Sequence, residues 1–136
     1  MPLMNAPFLL HEIVAALRNL AAHGERRTLF LSQFPMSEED ALFLQKFLGR
    51  GRTTIQMSGD HPTIWRESAT PGVWWGEYYD GPKKIALRTI EIAHVPELAL
   101  TPADEVREGI TALEQRIPEA TADFVAEGES SCTRPA

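Results

Sequence analysis

Glu67, Glu77 and Glu91 all fall in segments that read as β-strands, and carboxylates gathered on one sheet face can share acid–base work on a small ligand. Alternation along a half-exposed sheet also yields such acids routinely, so the structural explanation is preferred. The histidines, His11, His23, His61 and His94, are far apart, and none has a second ligand-type residue at a metal-binding spacing. Asp60 and His61 share a turn, where neighbouring side chains point apart. Gly49-Arg50-Gly51 follows a helix and precedes a strand, the reverse of a phosphate-cradling loop, and reads as a helix stop and turn. Ser32, Ser37, Ser58 and Ser68 lack the G-x-S-x-G context of an activated nucleophile. The one cysteine, Cys132, excludes an internal disulfide and lies where no scaffold is expected to activate a thiol. No catalytic residues, metal or cofactor are therefore expected.

The aromatic residues carry more information. All three tryptophans and both tyrosines lie between Trp65 and Tyr79. On a strand, Trp74, Gly76 and Tyr78 share one face, while Val73, Trp75, Glu77 and Tyr79 share the other. A small domain can cover only one face with helices, which leaves the other set for a protein partner, because Trp and Tyr inside a charged rim make interface anchors. Trp65, Trp75, Glu77 and Tyr79 are the expected partner-facing residues, with Trp74 and Tyr78 in the core; an inverted register exchanges the two sets.

The elements that position these residues follow from periodicity and stop signals. Asn5, Pro7 and Gly24 bracket a helix over 6–23 with Leu9, Leu10, Ile13, Val14, Leu17 and Leu20 along one stripe. Thr28 to Ser32 reads as a short strand halted by Pro35. Ser37-Glu38-Glu39-Asp40 signals a capped second helix, whose Leu42, Phe43, Leu44, Phe47 and Leu48 suggest burial on more than one side. Between Arg52 and His94 the period falls to two, with strands near 53–58, 63–68, 73–79 and 84–93 separated by Gly, Pro and Asp turns. A last helix starts at Thr101-Pro102, with Val106, Ile110, Leu113 and Ile117 as its buried stripe, and 118–136 reads as a flexible acidic tail. The expected fold is α+β: a four-stranded antiparallel meander, plus one short N-terminal strand, packed against two or three helices in a single domain over 1–117.

Composition limits the function. The chain has 136 residues, 43% hydrophobic and 24% charged, with a formal net charge of −6. That is globular composition, and its sign argues against nucleic acid as a partner. No apolar run approaches a membrane span, and the first residues lack the cationic start of a signal peptide, so a cytoplasmic protein is expected.

From about Leu29 to Arg116 the chain resembles the C-terminal conserved region of the HupH/HyaF-type hydrogenase expression and formation proteins. The matching stretches are Phe34-Pro35-Met36-Ser37-Glu38-Glu39-Asp40, Leu48-Gly49-Arg50-Gly51, Gly72-Val73-Trp74 and Thr89-Ile90-Glu91-Ile92 leading to Val95-Pro96-Glu97-Leu98-Ala99-Leu100. The resemblance implies a non-catalytic chaperone or scaffold in maturation of uptake nickel–iron hydrogenases, holding the iron–sulfur small subunit precursor. It supplies no catalytic residues. Members of the family are about twice as long and contain two related modules, so a homodimer is expected to reproduce here what they achieve within one chain. Two other readings remain open: a small-ligand enzyme whose pocket encloses at least two of Glu67, Glu77 and Glu91, or a metal or iron–sulfur carrier using Cys132 across a dimer with a histidine.

Overall fold

A computed structural model describes residues 5–34 and 36–127, with the side chains beyond 122 left aside. It divides into two compact units at Leu100/Thr101. The first holds α1 (Ala6–His23), β1 (Arg27–Phe30), α2 (Glu38–Leu48), β2 (Thr54–Met57), β3 (Thr63–Glu67), β4 (Val73–Tyr79) and β5 (Ile85–Ile92). The second contains α3 (Ala103–Glu127).

The five strands form one antiparallel sheet in the order β1-β5-β4-β3-β2. This is the expected meander with the N-terminal strand added at its β5 edge. The alternation that defines each strand also sets which face its residues occupy. Val73 and Trp75 stand beside Ile90, Ile92 and Leu29, and on this face lie Leu9, Ile13, Ala16 and Leu20 of α1 with Leu44 and Leu48 of α2. The core is therefore a two-layer packing of two helices on one sheet face.

Helix α1 ends where Gly24 adopts a left-handed conformation at φ 72° and donates its N–H to the Leu20 carbonyl. Helix α2 starts with a full capping box: Ser37 accepts from the Asp40 amide, and Asp40 accepts from the Ser37 amide. Asp40 is fully buried and also accepts the Ala6 amide at 3.3 Å, so one carboxylate joins the N-termini of both helices. Only Asp40, Leu44 and Leu48 of α2 are buried, whereas Leu42 and Phe47 are exposed. The expectation of burial on several sides is corrected: an i, i+4, i+8 row is buried, Phe43 packs beside it partly buried, and Leu42 and Phe47 are left exposed.

Two further boundaries differ from expectation. β1 ends at Phe30 and passes into a single 3-10 turn, Leu31–Gln33; Pro35, expected to halt it, lies outside the described residues. Helix α3 runs past Pro118 to Glu127, where a tail was expected from 118. Proline removes one hydrogen-bond donor, and the ladder resumes beyond it. Residues 128–136, including Cys132, lie outside the described residues. Val106, Ile110, Leu113 and Ile117, expected to be buried, are 50–58% exposed. Their spacing marks an apolar stripe without saying what surface covers it.

Candidate functional site

Register decides how the aromatic residues are shared between faces. Arg66 pairs with Trp75, Ile64 with Glu77 and Trp65 with Gly76. Trp75, Glu77 and Tyr79 therefore share the helix-bearing face, and Trp65 joins Trp74 and Tyr78 on the opposite one. The grouping of Trp65 with the other three expected partner-facing residues does not survive: it is fully buried. The expected assignment of faces is therefore corrected: the helices cover the Trp75 face, so the two sets exchange roles. Trp74, though buried, lies on the opposite face with the partly buried Tyr78 and donates its indole N–H to the Ala93 carbonyl at 3.0 Å.

The second face is organised around Glu91. One carboxylate oxygen, Oε2, accepts from Trp65 Nε1 at 3.0 Å, Tyr78 OH at 2.5 Å and Thr89 Oγ1 at 2.7 Å. The Trp65 and Tyr78 rings meet edge to face, 5.9 Å between centroids. Gly76 opens the space for this cluster, because a Cβ there would lie 2.3 Å from Thr89 Oγ1 and 2.8 Å from Glu91 Oε2. Buried carboxylates persist only when hydrogen-bonded in this way, so the network is a structural device of the sheet.

Desolvation, followed by the hydrogen bond to Glu91, pushes the Tyr78 phenol up from 10.0 to about 12. The folded state holds this proton more tightly than the unfolded chain does. The resulting stability is fully present below pH 10 and is lost as pH rises through about 12. The stability gap between the wild-type chain and Tyr78→Phe should therefore narrow between pH 10 and 12, read from denaturant midpoints at each pH. A constant gap would contradict the assignment.

The helix-bearing face continues past the core into a groove between α2 and strands β3–β5, a cavity of about 580 Å³. Leu31, Met36, Leu42 and Trp75 give it an apolar lining, and Arg50, Arg66, Arg88, Glu38 and Glu77 bring charge to it. Trp75 also packs on the core, while Leu42 is 56% exposed. Glu77 accepts from Arg66 Nη1 at 2.6 Å and from Tyr79 OH at 3.4 Å, which leaves it committed on this face. Arg88 stands directly across the β4–β5 ladder from Glu77.

Glu77 stands on the face that lines this cavity. Glu67 also borders it, but it pairs with Trp74, which pairs with Glu91, so the register sets Glu67 and Glu91 together on the other face. The small-ligand reading thus finds Glu77 apart from Glu67 and Glu91, and each is engaged: Glu77 and Glu91 as above, and Glu67 by the Gly72 amide at 3.3 Å. Among the described residues, no group of three or more His, Cys, Asp or Glu is placed to hold a metal ion. His61 and Asp80 approach within 3.6 Å on the surface. No helix among the described residues is long and apolar enough to cross a membrane.

Sequence reasoning singled out Trp75 and Glu77, but on a face expected to be free of helices rather than in a groove beside α2, and it did not single out Leu42, Arg50, Arg66 or Arg88 with them. A signal for Leu42 was present: it does not share the Asp40-Leu44-Leu48 row, so an apolar residue there serves something other than the core.

Residues 3–120 match the model of the HupH hydrogenase expression protein, C-terminal conserved region. The chain is 29% identical to hydrogenase expression/formation protein HupQ of Azotobacter chroococcum mcd 1, over 83% of its own length and 40% of that protein's. It is 32% identical to HupH of Rhodobacter capsulatus, over 77% of its own length and 38% of that protein's. It is also 32% identical to the hydrogenase-1 operon protein HyaF of Escherichia coli K12, over 76% and 36% respectively. It thus spans about 40% of the length of the curated relatives it matches. The solved structure of the hydrogenase expression protein HupH from Thiobacillus denitrificans superposes with a TM-score of 0.81 at 32% identity, over 87% of this chain and 99% of that one.

Proposed function

The chain belongs to the HupH hydrogenase expression protein family, whose C-terminal conserved region it matches, and on that premise we propose that it is a non-catalytic accessory factor in maturation of a nickel–iron hydrogenase. It acts in the cytoplasm as a homodimer and holds a segment of the immature iron–sulfur small subunit.

The groove between α2 and the sheet carries the reading. An apolar lining of Leu31, Met36, Leu42 and Trp75 beside charged residues suits a mixed apolar and polar polypeptide segment. The hydrogen bonds that engage Glu67 and Glu77 favour binding over acid–base chemistry. Trp75, Glu77 and Tyr79 remain the client-facing candidates on this side, joined by Leu42 and Arg88.

Leu42 is the cleaner probe, because Trp75→Ala would also remove core packing. Leu42→Asp should weaken binding of the purified small-subunit precursor by about tenfold or more, the loss expected for an apolar interface anchor. Its exposure means the melting temperature should change little. Unchanged affinity, measured by calorimetry or pull-down titration, would remove the groove from the mechanism.

A further inference from the structure

The strongest unexplained feature is the exposed apolar stripe of α3. Its members do not merely share a face. Ala103, Val106, Ile110, Leu113, Ile117 and Ala120 are spaced three, four, three, four and three residues apart, the seam of a coiled coil. Val106, Ile110, Leu113 and Ile117 are each at least half exposed. A helix of this length extends about 37 Å at 1.5 Å per residue. Pro118 falls on the side away from the seam, so its missing donor does not interrupt the stripe.

Charges beside a seam select the partner and its direction. With Ile110 and Ile117 at a, and Val106 and Leu113 at d, the flanking e positions hold Arg107 and Glu114, and the flanking g positions hold Gly109 and Arg116. In a parallel pair, g faces e of the following heptad, so Gly109 meets Glu114 and Arg116 meets Thr121; neither contact joins opposite charges. In an antiparallel pair e faces e and g faces g. Packing Ile110 on Leu113 and Val106 on Ile117 then sets Arg107 against Glu114 twice, by symmetry.

Sliding by one heptad is unfavourable in both directions. One shift sets Glu114 against Glu114 and Arg116 against Arg116; the other sets Arg107 against Arg107. The sequence of α3 therefore favours one register of one orientation. Arg107 also pairs with Asp104 within its own helix, which leaves its remaining donors to reach across. Gly109, whose added Cβ would meet nothing within 4 Å, leaves the flank open opposite Arg116 of the other copy.

We infer that α3 is a homodimerisation helix that pairs antiparallel with α3 of a second copy of this chain, in the register that sets Arg107 against Glu114. The inference rests on the homodimer proposed above and names its interface; it is independent of the client held in the groove. The closed two-fold arrangement covers both apolar stripes at once, as an isologous interface must.

Charge reversal of the full chain under reducing conditions tests it, with sedimentation velocity from 1 to 100 µM, about the range over which such a pair would dissociate. Arg107→Glu and Glu114→Arg should each weaken dimerisation by about tenfold, since each turns two attractions into two repulsions. The double variant R107E/E114R should return to within about twofold of the wild-type dimer. Both residues are exposed, and an unchanged unfolding midpoint in every variant confirms that the fold is intact. A wild-type chain that stays monomeric throughout would overturn the homodimer and this interface together. A dimer indifferent to the single reversals, or one the double variant fails to restore, would overturn the interface while leaving the homodimer standing.

Discussion

Glu91→Ala should lower the unfolding free energy by about 3–5 kcal/mol, enough to remove much of the stability of an ordinary small domain. The size follows from stranding donors rather than from losing one contact. Trp65 Nε1, Tyr78 OH and Thr89 Oγ1 all converge on Oε2 of this carboxylate, and the Trp65 and Thr89 side chains are buried. A buried donor without an acceptor costs about 1–3 kcal/mol. The Tyr78 hydroxyl can turn to water, and Trp65 Nε1 keeps a longer bond to that hydroxyl oxygen at 3.3 Å, so the total stays below three full penalties. Chemical denaturation at pH 7 measures the loss, which corresponds to a fall in melting temperature of roughly 15 °C or more for a domain of this size. A loss below about 1 kcal/mol would mean that the three donors had found other partners. Glu91→Gln, which keeps an acceptor in place, should fall between the two.

Gly76→Ala is the second large effect, at about 2–4 kcal/mol, and its cause is steric. The added Cβ would stand 2.3 Å from Thr89 Oγ1, 2.8 Å from Glu91 Oε2 and 3.2 Å from Trp65 Cδ1. None of these atoms is a free end that can swing aside, because each side chain belongs to the Glu91 network. Relief is possible at one point only. Thr89→Ala removes the nearest obstacle, so the double variant G76A/T89A should cost less than the sum of its parts, as coupled neighbours do. Strict additivity in denaturation experiments would show that the two sites do not press on each other.

Both effects arise at a place that one-dimensional reading described only in part. The strands themselves were legible, because period-two alternation and Gly, Pro and Asp turns bracket each of them; β4 has the bounds expected, Val73–Tyr79. Helix α1 was equally plain, since Asn5 and Gly24 mark its ends. Pairing register was not legible. Alternation says that Trp74 and Trp75 point apart, but only the ladder places Trp65 opposite Gly76 and so puts it across the sheet from Trp75. Glu91 was seen as a possible acid on a sheet face, whereas its role comes from three donors on β3, β4 and its own strand β5. The groove was half visible for a similar reason. Trp75 and Glu77 announce themselves by residue type, while Arg50, Arg66 and Arg88 acquire meaning only when α2 and the sheet bring them to one cavity. The stripe of α3 was read correctly as a stripe and wrongly as buried, because an amphipathic pattern specifies a contact without specifying its owner.

The strand order also has a kinetic side. β2 to β5 are joined by short hairpin connections, but β1 must wait for β5, since Phe30 pairs with Thr89. Closing that loop instead of a hairpin of about five residues costs roughly 2 kcal/mol more in chain entropy, because the cost rises with the logarithm of loop length. The meander is thus the local, quickly closed part of the sheet, and β1 with α1 is the part added at a distance. Transient opening follows the same division: the N-terminal helix and strand can come away as one cooperative piece while the hairpins hold. Amide exchange should accordingly be faster along Arg27–Phe30 than along Val73–Tyr79, although both belong to one continuous sheet.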